Sequence, residues 1–341
     1  MNLIHKNINV KKYFKYFSKV KKGLILLAGW AFVLIVLLVY ENLIRTDKKN
    51  QSTEIEITDN EYEQPKSSDS YSPQIIKAIQ SPASITFAGE EVPLQYFDVR
   101  ESLERELNQI AYSHHLTLLT IRLSKRYFGI IDSLLRKNGV PEDFKYLCVA
   151  ESNLQNLISP AKAVGFWQFL PETGKAYNLE INEEVDERYS IEKSTLAACE
   201  YLKESYKKYK NWTLAAASYN MGQGNIDKVV ENQKTSNYHD MMLNAETIRY
   251  VYRIVAYKII FSNPELYGFY VPENDKYISL KYYEITLNDS IHDMTVFAKK
   301  YNTNYKMIKF FNPWLRKNSL TNDKKKSYKI KIPIKDFRSA D

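Results

Sequence analysis

Cysteine is nearly absent. Cys148 and Cys199 are the only two in 341 residues, so neither a disulfide framework nor a four-cysteine zinc site can be built. One disulfide in an oxidising compartment and two buried thiols acting as small apolar groups both stay open. Glycine is scarce (10 residues), which excludes collagen-like chains. Histidine is scarcer still (5 residues), and no His or Cys cluster has metal-ligand spacing; the adjacent pair His114 and His115 reads as solvated. The thiols lack the nearby histidine of a catalytic cysteine. No cofactor is expected. Acidic residues are missing altogether between Ser152 and Pro171.

What is present is an ordinary globular composition, 44% apolar and 26% charged, with 27 tyrosines. A chain of this length holds two domains or one large one. The net charge of +8 is unevenly spread. Residues 1–50 carry +8, residues 51–275 carry −9 and residues 276–341 carry +9. A basic end suits nucleic acid, an anionic membrane or an anionic polymer, and position decides among them. Gly23–Tyr40 is an uncharged run of 18 residues, long enough for a transmembrane helix. Seven lysines precede it, from Lys6 to Lys22. The positive-inside rule puts residues 1–22 in the cytoplasm and the rest of the chain outside, which disfavours nucleic acid as a partner. A cleaved signal peptide is the competing reading, but its small-residue site is missing at Val39-Tyr40-Glu41. No cysteine near residue 40 could carry a lipid. Residues 41–90 are polar and aperiodic and read as a flexible linker.

From Asp98 onward the chain reads as helical. Val99, Leu103, Leu107 and Ile110 predict an amphipathic helix over 98–112, and a second follows over Leu116–Lys137. Gly139 ends it and Pro141 opens the next, over 141–153. That helix is apolar nearly all round and therefore central. Phe144, Leu147, Cys148 and Glu151 share one face by helical spacing, so the Glu151 carboxyl is partly desolvated and its pKa rises. A carboxyl still protonated near neutrality is what a general acid for glycosidic cleavage needs. The competing reading is a structural Glu paired with a buried Arg. After the helix, Ser159–Pro171 combines small residues, the aromatic pair Phe166-Trp167 and Gln168. These groups suit a pyranose ring bearing an N-acetyl group, or else an irregular buried connection.

The run Leu147–Ser152, then Ser159-Pro160, then Gly165–Pro171 resembles the catalytic domain of lytic murein transglycosylases of the membrane-bound D type. Val185–Arg188, Ala217–Gly222 (A-S-Y-N-M-G) and Glu246–Val251 (E-T-I-R-Y-V) follow in that family's order, and the match spans about 130–260. The resemblance implies a lysozyme-like fold with Glu151 as acid and base. It implies that Tyr250 orients that carboxyl, that Ser159 and Gln168 contact the N-acetylmuramoyl unit, and that Gly165, Phe166, Trp167, Tyr219 and Asn220 belong to the substrate cleft. Ala161 and Phe166 depart from the family's commoner residues and make the cleft more apolar. The implied reaction uses no water: Glu151 protonates the oxygen between MurNAc and GlcNAc, then accepts the C6 hydroxyl proton as a 1,6-anhydro ring closes. The missing acids between 152 and 171 agree with one carboxylate, although Glu172, Glu183, Glu184 and Asp186 stay candidates for a second.

Residues 277–334 predict strand, helix, helix, strand. Tyr282–Leu287 and Lys326–Pro333 alternate as strands. Ile291–Tyr301, capped by Asp289 or Ser290, and Asn304–Phe311 read as helices. With Asn312-Pro313 closing the helices, this segment resembles a LysM-like glycan-binding module; a structural cap on the catalytic domain is the alternative. The expected organisation is therefore mainly α: a basic segment (1–22), a transmembrane helix (23–40), a linker (41–90), a lysozyme-like domain (91–272) and a small βααβ module (273–341). The expected partners are peptidoglycan glycan strands and the inner membrane, with the catalytic domain in the periplasm. A hydrolytic muramidase on the same fold and a silent wall-binding scaffold are the rival readings.

Overall fold

The computed structural model describes residues 78–335 and residue 338. The basic segment 1–22, the apolar run 23–40 and most of the expected linker lie outside the described residues. No helix among the described residues is long and apolar enough to cross a membrane.

The packed body begins before residue 90, which corrects the expected linker boundary. Strands β1 (Thr86–Phe87) and β2 (Glu90–Glu91) form a small antiparallel hairpin. Phe87 is fully buried, edge-on to Phe144 with centroids 5.2 Å apart. Burying one such side chain is worth about 1.5–3 kcal/mol. The Glu90 carboxylate accepts from the backbone N–H of Trp212 (2.6 Å) and Thr213 (2.9 Å). The polar tract before it hid this anchor, because among the described residues before Glu90 only Ile79, Ile85, Phe87 and Ala88 contribute to the core.

Helices α1 (Phe97–Tyr112) and α2 (His114–Lys137) lie where hydrophobic spacing places them. The third predicted helix begins late. Pro141 is extended, residues Glu142–Phe144 make one 3-10 turn, and α3 runs only from Lys145 to Ser152. Asp143 in that turn is a tertiary anchor: its carboxylate accepts from Ala88 N (2.7 Å) and Lys258 Nζ (2.7 Å). Leu147, Cys148 and Val149 are fully buried, so α3 is the centre of the body, as its composition predicts. Both cysteines are free and buried.

Around α3 stand α4 (Pro171–Ala176), α5 (Ile191–Tyr209), α6 (Trp212–Met221), α7 (Gln223–Gln233) and α8 (Thr247–Ser262). Ser190 and Asn211 cap α5 and α6 by accepting from Lys193 N (3.3 Å) and Leu214 N (2.7 Å). Helix α8 packs on α1 and α3. Its Arg249 and Arg253 both donate to the fully buried Glu106 of α1 (2.5 and 3.1 Å). Removing one partner of such a buried ion pair is strongly destabilising, because it leaves a charge uncompensated.

The C-terminal segment folds as β3 (Tyr282–Leu287), α9 (Met294–Lys300), α10 (Tyr305–Phe311) and β4 (Tyr328–Pro333). The two strands pair antiparallel from Tyr282 opposite Pro333 to Leu287 opposite Tyr328. Helix α9 starts later than predicted, because Asp293, not Asp289 or Ser290, caps it (Thr295 N to Asp293 Oδ1, 2.6 Å). Ile291 pairs with Leu320 in an isolated bridge, and Asp289 meets Lys325 (2.7 Å). Asn312 is fully buried and ties α10 to β4, donating to Ile308 O and Lys331 O and accepting from Lys331 N at 2.7–2.9 Å.

The core of this module is completed by the helical body. Val164, Val185 and Tyr189 of the helical body share one buried cluster with Met294, Ile308, Leu315 and Ile330. Val185 bridges Leu315, Asp186 N donates to Trp314 O (2.9 Å), and Arg316 N donates to Glu184 O (2.7 Å). Residues 273–278 are strapped along α2: Arg122 and Arg126 donate to Asp275 O and Ile278 O and both lie over the Tyr277 ring.

Candidate active site

Glu151 sits in the last turn of α3. Asn153 (φ +51) and Leu154 (φ +58) then take left-handed conformations and end the helix. The Asn153 side chain is fixed by the Tyr257 hydroxyl (2.9 Å), and Ser152 Oγ donates to Phe166 O (2.8 Å). The helix end therefore grips the segment that follows. It also leaves Glu151 at the negative pole of the helix dipole, where a carboxylate is disfavoured.

The carboxyl is half-buried at the edge of a cleft of about 500 Å³. The fully buried Tyr250 of α8 donates its hydroxyl to Glu151 Oε1. Burial pushes the Glu151 pKa up to about 7; the Tyr250 hydrogen bond opposes that shift, the nearby Glu246 charge adds to it and Arg253 opposes it. Tyr250 is itself pushed well above its ordinary value, first by burial and then by the Glu151 charge, so it remains a donor. A carboxyl balanced near neutrality and held by one donor in an open cleft can give a proton and take it back.

One wall of the cleft is a hairpin over 157–169, in which Val164 bridges both Ile158 and Phe169. Ser159 and Gln168 both line it. The Ser159 hydroxyl accepts from Ala163 N (3.0 Å) and closes a tight turn in which Lys162 has φ +63. Gln168 is left-handed (φ +48), and its amide nitrogen donates to Gly165 O (2.7 Å) and Leu157 O (3.1 Å). Gly165 (φ +85) has no room for a side chain, since a Cβ there would fall 2.0 Å from Arg188 O.

The opposite wall carries Tyr219 and Asn220 from α6. The Tyr219 hydroxyl donates to Trp167 O (2.7 Å), and its ring meets Phe169 and Tyr201 edge-on at 5.8 and 5.1 Å. Asn220 accepts from Thr247 Oγ1 (2.7 Å) and donates to Glu246 Oε1 (3.4 Å).

Glu151, Tyr250, Ser159, Gln168, Tyr219 and Asn220 thus converge, but three expected residues do not line the cleft. Trp167 is fully buried and donates Nε1 to Thr195 Oγ1 (2.9 Å). Phe166 is buried edge-on to Tyr127 at 4.8 Å. Gly165 serves the close approach to Arg188. Cleft residues that sequence reasoning passed over are Glu246, Thr173 and Tyr201. Glu246 stood within a quoted motif, but nothing in its spacing says that the turn before α8 brings it beside α6. Of the acids considered as a second carboxylate, Glu184 and Asp186 are committed elsewhere: Glu184 to Ser319 and Thr321, Asp186 to Arg188.

Residues 130–242 match the transglycosylase SLT domain family, and residues 283–336 match the soluble lytic transglycosylase C-terminal LysM-like domain. The chain is similar to the membrane-bound lytic murein transglycosylase D of Escherichia coli (strain K12), 28% identical over 199 residues. The same-named protein of Escherichia coli O6:H1 (strain CFT073) matches equally, at 28% identity. These alignments cover 56% of this chain and 43% of the relative, so the chain spans under half the length of the curated relatives it matches. The SLT domain match includes Glu151 and both cleft walls, and Tyr250 falls beyond its end.

Proposed function

We propose that the protein is a peptidoglycan lytic transglycosylase that cleaves the MurNAc-β-1,4-GlcNAc bond without water. The observation that carries this is the Tyr250 hydroxyl donating to the half-buried Glu151 carboxyl in the cleft of the SLT-like region, where burial pushes that carboxyl up to about 7 and lets it be acid and then base. Protonated Glu151 gives its proton to the glycosidic oxygen, and the C1–O bond breaks as the GlcNAc hydroxyl leaves. The C6 oxygen of MurNAc then bonds to C1, and its proton returns to Glu151. The carboxyl ends as it began, and the product carries a 1,6-anhydro-MurNAc end. Ser159, Gln168, Tyr219 and Asn220 are the side chains placed to hold the sugars.

The LysM-like module and its lysines favour the same substrate, and the matched relatives are named as murein transglycosylases. The relative's name is membrane-bound. With the apolar run 23–40 and the lysines before it, this supports an inner-membrane anchor with the catalytic domain in the periplasm. Glu246 in the same cleft supports one rival, a hydrolytic muramidase with a second carboxylate.

Mass spectrometry of muropeptides released from purified sacculi decides between them. Anhydro products one water lighter than reducing-end products are expected. Reducing-end products would instead make Glu246 the first residue to test, and binding without release would favour a scaffold.

A further inference from the structure

We infer that Arg188 is a positioning residue for the substrate cleft, and that the LysM-like module holds it in place. The inference rests on the transglycosylase reading of that cleft. Arg188 is itself not among the cleft-lining residues. Its guanidinium is buried, with 7% of the side chain exposed. Two of its nitrogens meet the Asp186 carboxylate, Nε to Oδ1 at 2.9 Å and Nη2 to Oδ2 at 2.7 Å. The third, Nη1, donates to the carbonyls of Lys162 (3.1 Å) and Phe169 (3.0 Å).

The Lys162 carbonyl lies in the tight turn closed by Ser159, and the Phe169 carbonyl lies where the chain returns to pair with Val164. Between them the hairpin carries Ala163 and Gln168 of the cleft wall, with Ser159 just before. One planar group thus clamps the turn and the returning segment from behind. Only a guanidinium has the fork to pair a carboxylate and reach two carbonyls together. Gly165 lets the hairpin lie directly against the Arg188 backbone.

The clamp is held from the module's side. Asp186 donates its backbone N–H to Trp314 O (2.9 Å), while Val185 bridges Leu315. Two residues earlier, the Glu184 carboxylate accepts from Ser319 Oγ (2.7 Å) and Thr321 N (2.7 Å). Val164 of the hairpin packs into the same cluster as Leu315 and Ile330. The module therefore reaches the cleft wall through 184–188, and its role includes fixing the catalytic domain's sugar contacts.

The test uses the full chain and a short soluble MurNAc–GlcNAc oligosaccharide, with kcat and KM from anhydro-product formation. The Kd of the same oligosaccharide is measured separately by calorimetry in a Glu151→Gln background. Arg188→Lys keeps the charge but loses the fork; it should raise KM and Kd about 10-fold, the scale of a misplaced binding group, and leave kcat nearly unchanged. Glu184→Gln should move both constants in the same direction by a smaller factor. Asp186→Asn serves as the second clamp variant if Arg188→Lys does not fold. Unchanged KM and Kd in a folded clamp variant overturns the positioning role, as does a loss confined to kcat. Normal constants in Glu184→Gln overturn the link to the module. If the unsubstituted chain binds the sugar but releases no anhydro product, the transglycosylase reading fails, while the Kd series still decides whether Arg188 sets the cleft.

Discussion

The helical body and the C-terminal module solve the problem of burial differently. The body is built around α3, with Leu147, Cys148 and Val149 fully enclosed. That surplus of packing supports unfavourable local features at the cleft: a carboxyl pushed up to about 7 and left-handed Lys162 and Gln168. The module is too small for such a surplus. It completes its core with Val164, Val185 and Tyr189 from the body. Two family models divide the chain cleanly, yet the buried cluster crosses their boundary. The module is thus joined to the helical body through a shared buried cluster.

The largest effect should come from the strained side of this comparison. Glu151→Gln should lower turnover by about 10³-fold or more, while sacculus binding persists. Undiminished turnover would remove Glu151 from the mechanism. The same variant should be more stable than the wild type. A carboxyl raised in the folded state keeps its proton while the unfolded chain releases it, so stability falls as pH rises from about 4.5 to about 7. The gain from Glu151→Gln should therefore vanish near pH 4 and reach about 2–3 kcal/mol at pH 8, for a shift of this size in a half-buried group. Urea titrations at the two pH values measure it; equal gains at both would show that the strain is not electrostatic.

The next effect falls on the module. Ile330→Ala, at a fully buried position, should cost about 2–5 kcal/mol. Because the core is shared, calorimetry should show one lowered transition for body and module together. Two separate transitions, with only the smaller one moved, would restore the module as an independent domain.

How much of this was legible beforehand follows the same division. Helical period alone located α1 and α2, and strand alternation located β3, since each presents one apolar face. Of the residues that line the cleft, Glu151 was found by helical spacing and the needs of a general acid, whereas Ser159, Gln168, Tyr219 and Asn220 came from the resemblance of their motifs to a known family. Trp167 and Phe166 were misplaced: an aromatic pair beside a sugar site suits a platform, but both rings went to the core. The Asp293 cap and the 3-10 turn after Pro141 were missed because a carboxylate at a helix start serves equally as a cap or as a partner for a distant Lys. The shared core could not be read at all, because Val164, Val185 and Leu315 meet only in three dimensions.

Tyr250→Phe should act on Glu151 without replacing it. Its hydroxyl favours the carboxylate, so its loss raises the Glu151 pKa further. The alkaline limb of the kcat/KM profile, where the acid is lost, should move to higher pH. The maximum should drop about 10-fold as the carboxyl loses its orienting donor. An unmoved limb would mean that the hydrogen bond is not retained in the working enzyme.

The smallest effect should come from Glu246→Gln, and its sign matters more than its size. The Glu246 charge raises the Glu151 pKa, and it ranks below both burial and the Tyr250 hydrogen bond. Its removal should shift the same limb slightly to lower pH, opposite to Tyr250→Phe, with the maximum rate largely retained. A one-carboxylate mechanism requires that retention, because nothing in it needs a second base. A hydrolase would instead depend on Glu246 to activate water, and Glu246→Gln would then remove turnover as completely as Glu151→Gln. The two carboxylates share one cleft, so only their unequal response to the same substitution separates a catalyst that excludes water from one that uses it.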